Sequence, residues 1–256
     1  MIKNILEGIQ AYSGALALIS KLKLWKFFFV PIAISIITAT IIGFSSYVLS
    51  DNIGQFMMGI WPWEFGSSFV NKTFNILGGL IILVIGLILY KHIIMALSAP
   101  FMSPVSERIE VYLTGAERHN HRNTTFKEQL WRGIRINMRN LVKELLITIP
   151  ILLLKFIPIV NIFSTVLLIL VQAYYAGFGN MDYTLERHLN YRKSTRFVRK
   201  NKGVAIGNGL VFILFLLLPI IGVILVLPMS VTAASIKTVK LLQKENLFLE
   251  NKIYAS

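Results

Sequence analysis

Residues 96–110 read Ala-Leu-Ser-Ala-Pro-Phe-Met-Ser-Pro-Val-Ser-Glu-Arg-Ile-Glu, and this stretch decides how the chain meets the membrane. No charge occurs from Ile93 to Ser106, and three charges then follow within four positions. Pro100 and Pro104 each lack a backbone N–H and interrupt regular helical hydrogen bonding. We therefore expect a membrane helix to reach its cytoplasmic end and break in this stretch.

The composition indicates a multi-pass membrane protein. Of the 256 residues, 55% are hydrophobic, and the mean hydropathy of +0.66 is too high for a soluble domain of this length. The net charge of +14 comes from basic clusters between apolar runs. Such clusters are typical of loops that face the cytoplasm and anionic lipid rather than of a nucleic-acid-binding face. The absence of cysteine excludes disulfides, thiolate metal sites and thiol nucleophiles.

The first 26 residues predict an amphipathic helix on the cytoplasmic interface. Apolar residues recur there near helical spacing, and a basic turn with Lys21, Lys23 and Lys26 follows. The segment has neither the compact apolar core nor the small-residue cleavage site of a signal peptide. We therefore expect the first membrane span to remain in the mature protein.

Two full membrane spans are expected at 27–49 and 76–99. Each is long enough to cross about 30 Å of hydrocarbon. The loop 50–76 between them is poor in Lys and Arg, as outside loops are. Lys91 and His92 interrupt the second span. We expect these two side chains to reach the interface or to face the protein interior; the alternative is that they line a transport pathway.

Residues 107–144 carry eight Lys or Arg against five Asp or Glu and are expected to form a cytoplasmic helical segment. Thr125 and Glu128 have the spacing of a capping box, which predicts the start of a helix. Arginines then recur on one helical stripe that we expect to face solvent or lipid. They are Arg132, Arg135 and Arg139.

Two apolar blocks, 145–181 and 203–236, predict helical hairpins whose tips contain Pro158 and Pro219. Each arm of the second block has about 16 residues and spans about 24 Å, which is short of a core of about 30 Å. We therefore expect hairpins that enter from the cytoplasmic side and turn within the membrane. For the first hairpin a full crossing is the alternative.

The predicted fold is thus a single all-α integral membrane domain over residues 1–256. It has two long transmembrane helices, two membrane-dipping helical hairpins and an N-terminal interfacial amphipathic helix. The last segment, 237–256, is expected to be a cytoplasmic tail helix. With basic regions on the inner side, both termini are expected in the cytoplasm.

Three motifs, in this order, resemble those of the CysZ sulfate permease family, which also includes etoposide-induced protein 2.4-type membrane proteins. The motifs are Ala99-Pro100-Phe101 with the charged step Glu107-Arg108-Ile109-Glu110, the hairpin tip Phe156-Ile-Pro-Ile-Val-Asn161, and the ending Leu218-Pro-Ile-Ile-Gly-Val-Ile-Leu-Val-Leu-Pro228. The resemblance extends from about Gly14 to Lys240.

The resemblance implies an oligomeric protein of the inner cell membrane that admits sulfate for assimilation into cysteine. In the family, a sulfate site is associated with the turn before the first span, where backbone amides and adjacent arginines bind the anion. The aligned turn here, residues 21–26, carries lysines and no Arg pair. Lysine offers a point charge rather than the planar guanidinium group of arginine, which binds two oxygens of an oxyanion at once.

The candidate site residues form two groups. The first group is expected to replace the hydration shell of an oxyanion, with a purely topogenic role of the lysines as the alternative. It consists of Lys21, Lys23, Lys26 and Arg108. The second group is expected to form a structural and gating network, in which Glu107 and Glu110 make internal salt bridges that fix the broken helix against the hairpins. Membership of Arg108 in this salt-bridge network is the alternative to its direct contact with an anion. It consists of Pro100, Pro104, Glu107, Glu110, Pro158, Asn161 and Pro219.

The sequence contains no phosphate-cradling glycine loop and no nucleophile elbow, and we expect no enzymatic activity, cofactor or metal. The close histidine pair, His119 and His121, is best explained as part of a solvated loop. The expected partners are sulfate or a similar oxyanion, membrane lipid and further copies of the chain, but no nucleic acid. The alternative function is a non-transporting protein that shapes the membrane or scaffolds partners.

Overall fold

The computed structural model describes residues 1–60, 67–115, 124–154, 157, 160–218 and 221–247. All regular secondary structure in these ranges is α-helical, which confirms the predicted all-α class. The helices, in chain order, are α1 (Ile2–Gln10), α2 (Ala15–Lys21), α3 (Trp25–Met58), α4 (Ser67–Leu97), α5 (Ala99–Thr114), α6 (Phe126–Leu154), α7 (Val160–His188), α8 (Tyr191–Lys200), α9 (Lys202–Leu216) and α10 (Ile221–Lys244).

Four of these helices, α3, α4, α7 and α10, are long and apolar enough to cross a membrane. α3 and α4 include most of the predicted spans but are longer, with 34 and 31 residues. α7 and α10 continue to His188 and Lys244, past the ends expected for the hairpins. By contrast, α9 has 15 residues and a length of about 22 Å, which is less than the thickness of the hydrocarbon core.

The helix break expected within 96–110 occurs at Ser98, between α4 and α5. The Ser98 N–H donates to the carbonyl of Ile94 at 3.0 Å, and the Ser98 carbonyl accepts from Met102 at 3.0 Å. Pro100 occupies the first turn of α5, where a missing N–H costs little. Pro104 lies inside α5 and does not end it, so the charged step belongs to a continuous helix.

The cytoplasmic segment 107–144 and the first hairpin are not separate elements, because α6 runs without interruption through their expected boundary. The predicted capping box begins this helix. The Thr125 N–H donates to Glu128 Oε2 at 2.9 Å, and the Glu128 N–H donates to Thr125 Oγ1 at 3.3 Å. A capping box satisfies two backbone donors that the first helical turn would leave without partners.

The N-terminal segment forms two short helices, and α1 packs on α9 rather than lying alone. Gly8 is buried, and a Cβ at this position would lie 3.0 Å from the Cα of Gly207. The hydroxyl of Tyr12 donates to the backbone carbonyl of Asn208 at 2.8 Å and lies 2.8 Å from Ser230 Oγ. Small residues and one buried hydroxyl therefore attach the N-terminus to α9 and α10.

Close packing also holds α3 against α4 beyond the predicted spans. A Cβ at Gly78 would lie 2.7 Å from the carbonyl oxygen of Ser50. The Ser46 hydroxyl donates to the carbonyl of Gly79 at 2.7 Å. Such contacts between small residues are a common way for membrane helices to associate. Much of the expected outside loop 50–76 is consequently helical.

α5 has one face in the protein interior and another face at the surface. Met102, Val105 and Ile109 recur at spacings of three and four residues, are fully buried and belong to the main apolar core. Arg108 and Tyr112, on another face of the same helix, are exposed. The burial of the apolar face therefore fixes which side chains of α5 point outward.

We predict that Gly8→Ala lowers the thermal unfolding midpoint of the protein in detergent. The added Cβ would lie 2.6 Å from the carbonyl oxygen of Val204 and 3.0 Å from the amide nitrogen of Asn208. Backbone atoms cannot rotate away as a side chain does, so we expect a cost of about 1 to 3 kcal/mol. Gly14→Ala is the matched control, because a Cβ there meets nothing within 4 Å. Equal midpoints for the two variants would contradict the packing of α1 on α9.

Candidate anion-binding site

The turn between α2 and α3 presents the three lysines of residues 21–26, which we call the lysine turn. Lys23 has a left-handed backbone with φ of 52°, which separates α2 from α3. The Leu24 N–H donates to the carbonyl of Ile19 at 2.9 Å, and both of these side chains are fully buried. The burial of Leu24 and Ile19 holds the turn against the protein, and the three lysine side chains remain exposed.

A pocket of about 630 Å³ lies between the lysine turn and α5. The residues that line it come from the turn, from the start of α3 and from the outward face of α5. They are Leu22, Phe27, Pro104, Glu107, Arg108, Val111 and Tyr112. The pocket therefore joins two segments that are more than 75 residues apart in the sequence.

Three of the four predicted anion-binding side chains contact aromatic rings of this pocket. Lys21 Nζ donates to the Tyr112 hydroxyl at 2.7 Å and lies 4.8 Å from its ring centroid. The Arg108 guanidinium lies 4.8 Å from the centroid of Phe27, and Lys26 Nζ lies 5.2 Å from the same centroid. These distances are typical of cation–π contacts. Lys23 is exposed on the same turn.

This arrangement suits weak binding of an oxyanion. The ring contacts orient the cations, while an ammonium has three donors and a guanidinium has five, so donors remain for an anion. Arg108 supplies a planar fork that the lysine turn lacks. Glu107 lines the same pocket. The cations attract an anion, and their exposure to solvent keeps its binding weak enough for release.

The opposite face of α5 contains a buried ion-pair network centred on Glu110. Its carboxylate lies 2.7 Å from Arg187 Nη2 and 2.9 Å from His188 Nε2. Arg187 also donates to the carbonyl oxygens of Ser103 at 3.2 Å and Tyr183 at 3.1 Å. These contacts tie α5 to the end of α7.

The pKa of Glu110 reflects this network. Burial raises the pKa of a carboxyl group, but the hydrogen bond from His188 and the charges of Arg187 and His188 outweigh burial and lower the pKa of Glu110 to about 2. The carboxylate is therefore ionised at neutral pH, and its pairing is maintained across the physiological range.

A second ion pair, which is partly buried, corrects the interpretation of the arginine stripe on α6. The Arg132 guanidinium makes two parallel hydrogen bonds to Asp182, at 3.0 and 2.9 Å, and also donates to the carbonyl of Leu189 and to Ser194 Oγ. The expectation of a solvent-facing or lipid-facing stripe is therefore wrong for Arg132. It is wrong because α7 and α8 cover that part of α6.

Lys91 and His92 face the protein interior, which confirms the first of the two readings of this pair. Both are nearly fully buried, and Glu144 of α6 lies between them. Lys91 Nζ donates to Glu144 Oε1, and His92 Nε2 lies 3.2 Å from Glu144 Oε2. A buried cation needs a counter-charge, and this contact supplies it.

The second group of predicted residues is distributed over several places. Pro104 and Glu107 line the pocket, whereas Glu110 faces the interior. Asn161 is exposed in the first turn of α7, and its carbonyl accepts from the hydroxyl of Ser164 at 2.8 Å. The remaining two hairpin residues, Pro158 and Pro219, and the pair His119 and His121 lie outside the described residues.

Sequence reasoning missed four residues that shape these sites. Phe27 and Tyr112 orient the pocket cations, while Arg187 and Glu144 neutralise buried charges. The signal for Glu144 was available, because a Lys-His pair inside an apolar span predicts a carboxylate on a neighbouring helix. In the part of the chain that the structure describes, no group of three His, Cys, Asp or Glu residues is placed to hold a metal ion.

Comparison with known proteins identifies relatives along most of the chain. The family model described as "Sulfate transporter CysZ/Etoposide-induced protein 2.4" matches residues 11–227. The chain is 28% identical over 236 residues to the sulfate transporter CysZ of Pseudomonas aeruginosa, covering 90% of this chain and 94% of that protein. It is 25% identical over 256 residues to the protein of the same name from Pseudomonas fluorescens, covering 95% and 97%.

We predict that Glu110→Gln lowers the free energy of unfolding at neutral pH by about 3 to 5 kcal/mol, because it leaves a buried cation without its counter-charge. The pH dependence gives a second readout. Glu110 has a lower pKa in the folded protein, about 2, than its ordinary value of 4.5. Its stabilising contribution is therefore complete above pH 4.5 and is lost as the pH falls towards 2.

Thermal unfolding in detergent, followed from about pH 6 to about pH 3, measures this contribution. The wild type should lose more stability over this interval than Glu110→Gln, which has no carboxyl to protonate. Parallel acid dependences would show that Glu110 is not held ionised by Arg187 and His188.

Proposed function

The chain belongs to the sulfate transporter CysZ/etoposide-induced protein 2.4 family, and we propose that it is a membrane transporter or channel that takes up sulfate for sulfur assimilation. The relatives are named as transporters, and the protein is accordingly a transporter rather than an enzyme. The substrate class is sulfate or a closely related oxyanion.

The observation that carries the proposal is that Lys21, Lys26 and Arg108 each contact an aromatic ring that lines one pocket. The lysine turn alone lacks the arginine fork that suits bidentate binding of an oxyanion, but α5 brings Arg108 to the same pocket. Phe27 and Tyr112 hold the cations in place without neutralising them. The three cations therefore lie around one pocket and attract a dianion to it, with Lys23 adding to the potential.

We further propose that only α3 and α4 cross the whole membrane and that the two hairpins dip into it from the cytoplasmic side. The length of α9 supports this arrangement for the second hairpin. On α7, the large apolar side chains that are exposed lie between Ile162 and Ile169, and residues 175–188 are buried in protein. The eight residues 162–169 cover about 12 Å, so the run of exposed apolar side chains on α7 is shorter than half of the hydrocarbon core.

In this arrangement both termini, the lysine turn and α8 are cytoplasmic, as the basic clusters indicate. The pocket is then the last site that an anion occupies before release into the cell. The pairing of Glu110 with Arg187 holds α5 in register with α7, and Pro100 fixes the direction in which α5 leaves α4. We assign Pro104, Glu107, Pro158, Asn161 and Pro219 to the same positioning group. A homo-oligomer in the inner membrane remains our prediction for the assembly.

Sulfate flux into proteoliposomes tests the function directly. Purified protein should admit labelled sulfate faster than liposomes without protein, and the alternative of a non-transporting membrane-shaping or scaffolding protein predicts no difference. Correct insertion is verified by protease protection of the loop 50–76. Flux equal to that of empty liposomes with inserted protein would refute the transport proposal.

We predict that the triple variant Lys21→Gln, Lys26→Gln, Arg108→Gln reduces sulfate flux about tenfold or more, because each charged hydrogen bond to the anion contributes about 1.5 to 3 kcal/mol. The matched control removes three exposed lysines elsewhere: Lys3→Gln, Lys127→Gln, Lys240→Gln. It has the same net charge and should retain flux. Equal losses in both variants would indicate a general effect of surface potential rather than a site at the pocket.

A further inference from the structure

Five arginines on α6 and α8 lie outside the pocket and form what we call the arginine surface. They are Arg135, Arg139, Arg192, Arg196 and Arg199. Within the described residues, none of them makes an ion pair with a carboxylate. All are exposed except Arg139, which is partly exposed.

The nearby acidic side chains are already paired with other cations. Asp182 is bound by Arg132 through both carboxylate oxygens. Glu245 lies 3.1 Å from Lys200, the last residue of α8. The arginine surface therefore keeps its full positive charge. On α8, Arg192, Arg196 and Arg199 follow at spacings of four and three residues and form one outward stripe.

Aromatic side chains orient the two arginines of α6. The Arg135 guanidinium lies 4.5 Å from the ring centroid of Tyr191, and the Arg139 guanidinium lies 5.0 Å from that of Phe178. Tyr174 packs edge-on against Phe178 at 6.2 Å between ring centroids. Through Phe178 of α7 and Tyr191 of α8, the two arginines of α6 contact both neighbouring helices.

Exposed apolar side chains indicate the depth of this surface in the membrane. On α7, the exposed apolar run ends at Ile169, shortly before Tyr174. On α6, Met138 and Val142 are exposed directly beside Arg139, and exposed apolar residues continue to Leu154 at the hairpin tip. The arginines therefore lie where lipid-facing helix begins, which is the level of the lipid headgroups.

We propose that the arginine surface binds the phosphodiester headgroup of an anionic phospholipid, whose acyl chains pack on the exposed apolar side chains of α6. An arginine guanidinium can donate two hydrogen bonds to two oxygens of a phosphodiester. The rings of Tyr191 and Phe178 hold the guanidinium groups of Arg135 and Arg139 in place. A free oxyanion shares the headgroup's chemistry, but it has no acyl chains to use the adjoining apolar surface. This inference does not depend on sulfate transport.

Native mass spectrometry of the purified protein tests the proposal, with phosphatidylglycerol as the anionic probe and phosphatidylcholine as the neutral one. The wild type should retain phosphatidylglycerol in preference to phosphatidylcholine. The variant Arg135→Gln, Arg139→Gln, Arg199→Gln should reduce this retention about tenfold or more, since each cation near an anionic surface contributes about fivefold. The control Lys3→Gln, Lys127→Gln, Lys240→Gln, with the same net charge, should behave as the wild type.

Because Arg139 is partly buried, a second variant uses exposed residues of α8 alone: Arg192→Gln, Arg196→Gln, Arg199→Gln. It should also lose phosphatidylglycerol while keeping its thermal midpoint in detergent. Replacement of the same three arginines by lysine should give intermediate retention, because charge remains and the fork is lost. Equal retention in the control and both glutamine variants, or displacement of the lipid by millimolar free sulfate, would overturn the proposal.

Discussion

The structure depends on the pairing of charges inside an otherwise apolar protein. In the part of the chain that the structure describes, three buried or partly buried cations each meet a carboxylate on a different helix, and the pairs connect α4 with α6, α6 with α7, and α7 with α5. An unpaired charge in such an interior costs several kcal/mol, so each pair restricts which helices can be neighbours. The pairs are Lys91 with Glu144, Arg132 with Asp182, and Arg187 with Glu110.

α5 links this interior to the pocket. Arg108, on its outward face, and Glu110, on its inward face, are only two residues apart in the sequence. At about 100° per residue, Arg108 and Glu110 point in nearly opposite directions. The interior pairing of Glu110 therefore orients Arg108 towards Phe27 and the lysine turn. A displacement of α5 that separated Glu110 from Arg187 would also move the one arginine of the pocket.

Local sequence signals predicted local structure correctly. The apolar composition predicted the all-α membrane class, the helix break expected within 96–110 occurs at Ser98, and the capping-box spacing of Thr125 and Glu128 marks the start of α6. Partners distant in sequence were not predictable, because Glu110 and Arg187 are separated by 77 residues. Local patterns also cannot tell which part of a helical stripe another helix will cover.

The interpretation of Arg132 illustrates that second limit. Arg132 and Arg135 belong to the same stripe and have the same side chain, yet one is paired with Asp182 and the other is exposed. The difference comes from α7 and α8, which reach Arg132 and leave Arg135 at the rim. The site was only partly predictable for the same reason: the lysine turn is visible in the sequence, but the approach of Tyr112 to Lys21 is not.

The contact of α1 with α9 has a consequence for the order of assembly during synthesis. Tyr12 donates to a carbonyl 196 residues further along the chain, so its partner does not yet exist when α1 leaves the ribosome. Until then, α1 is best accommodated on the membrane surface, where its apolar residues Ile2 and Leu6 meet lipid; both stay exposed in the final fold. The amphipathic character of α1 thus suits binding to the membrane surface before α9 is synthesised, and the buried Gly8 allows close packing on α9 in the completed fold.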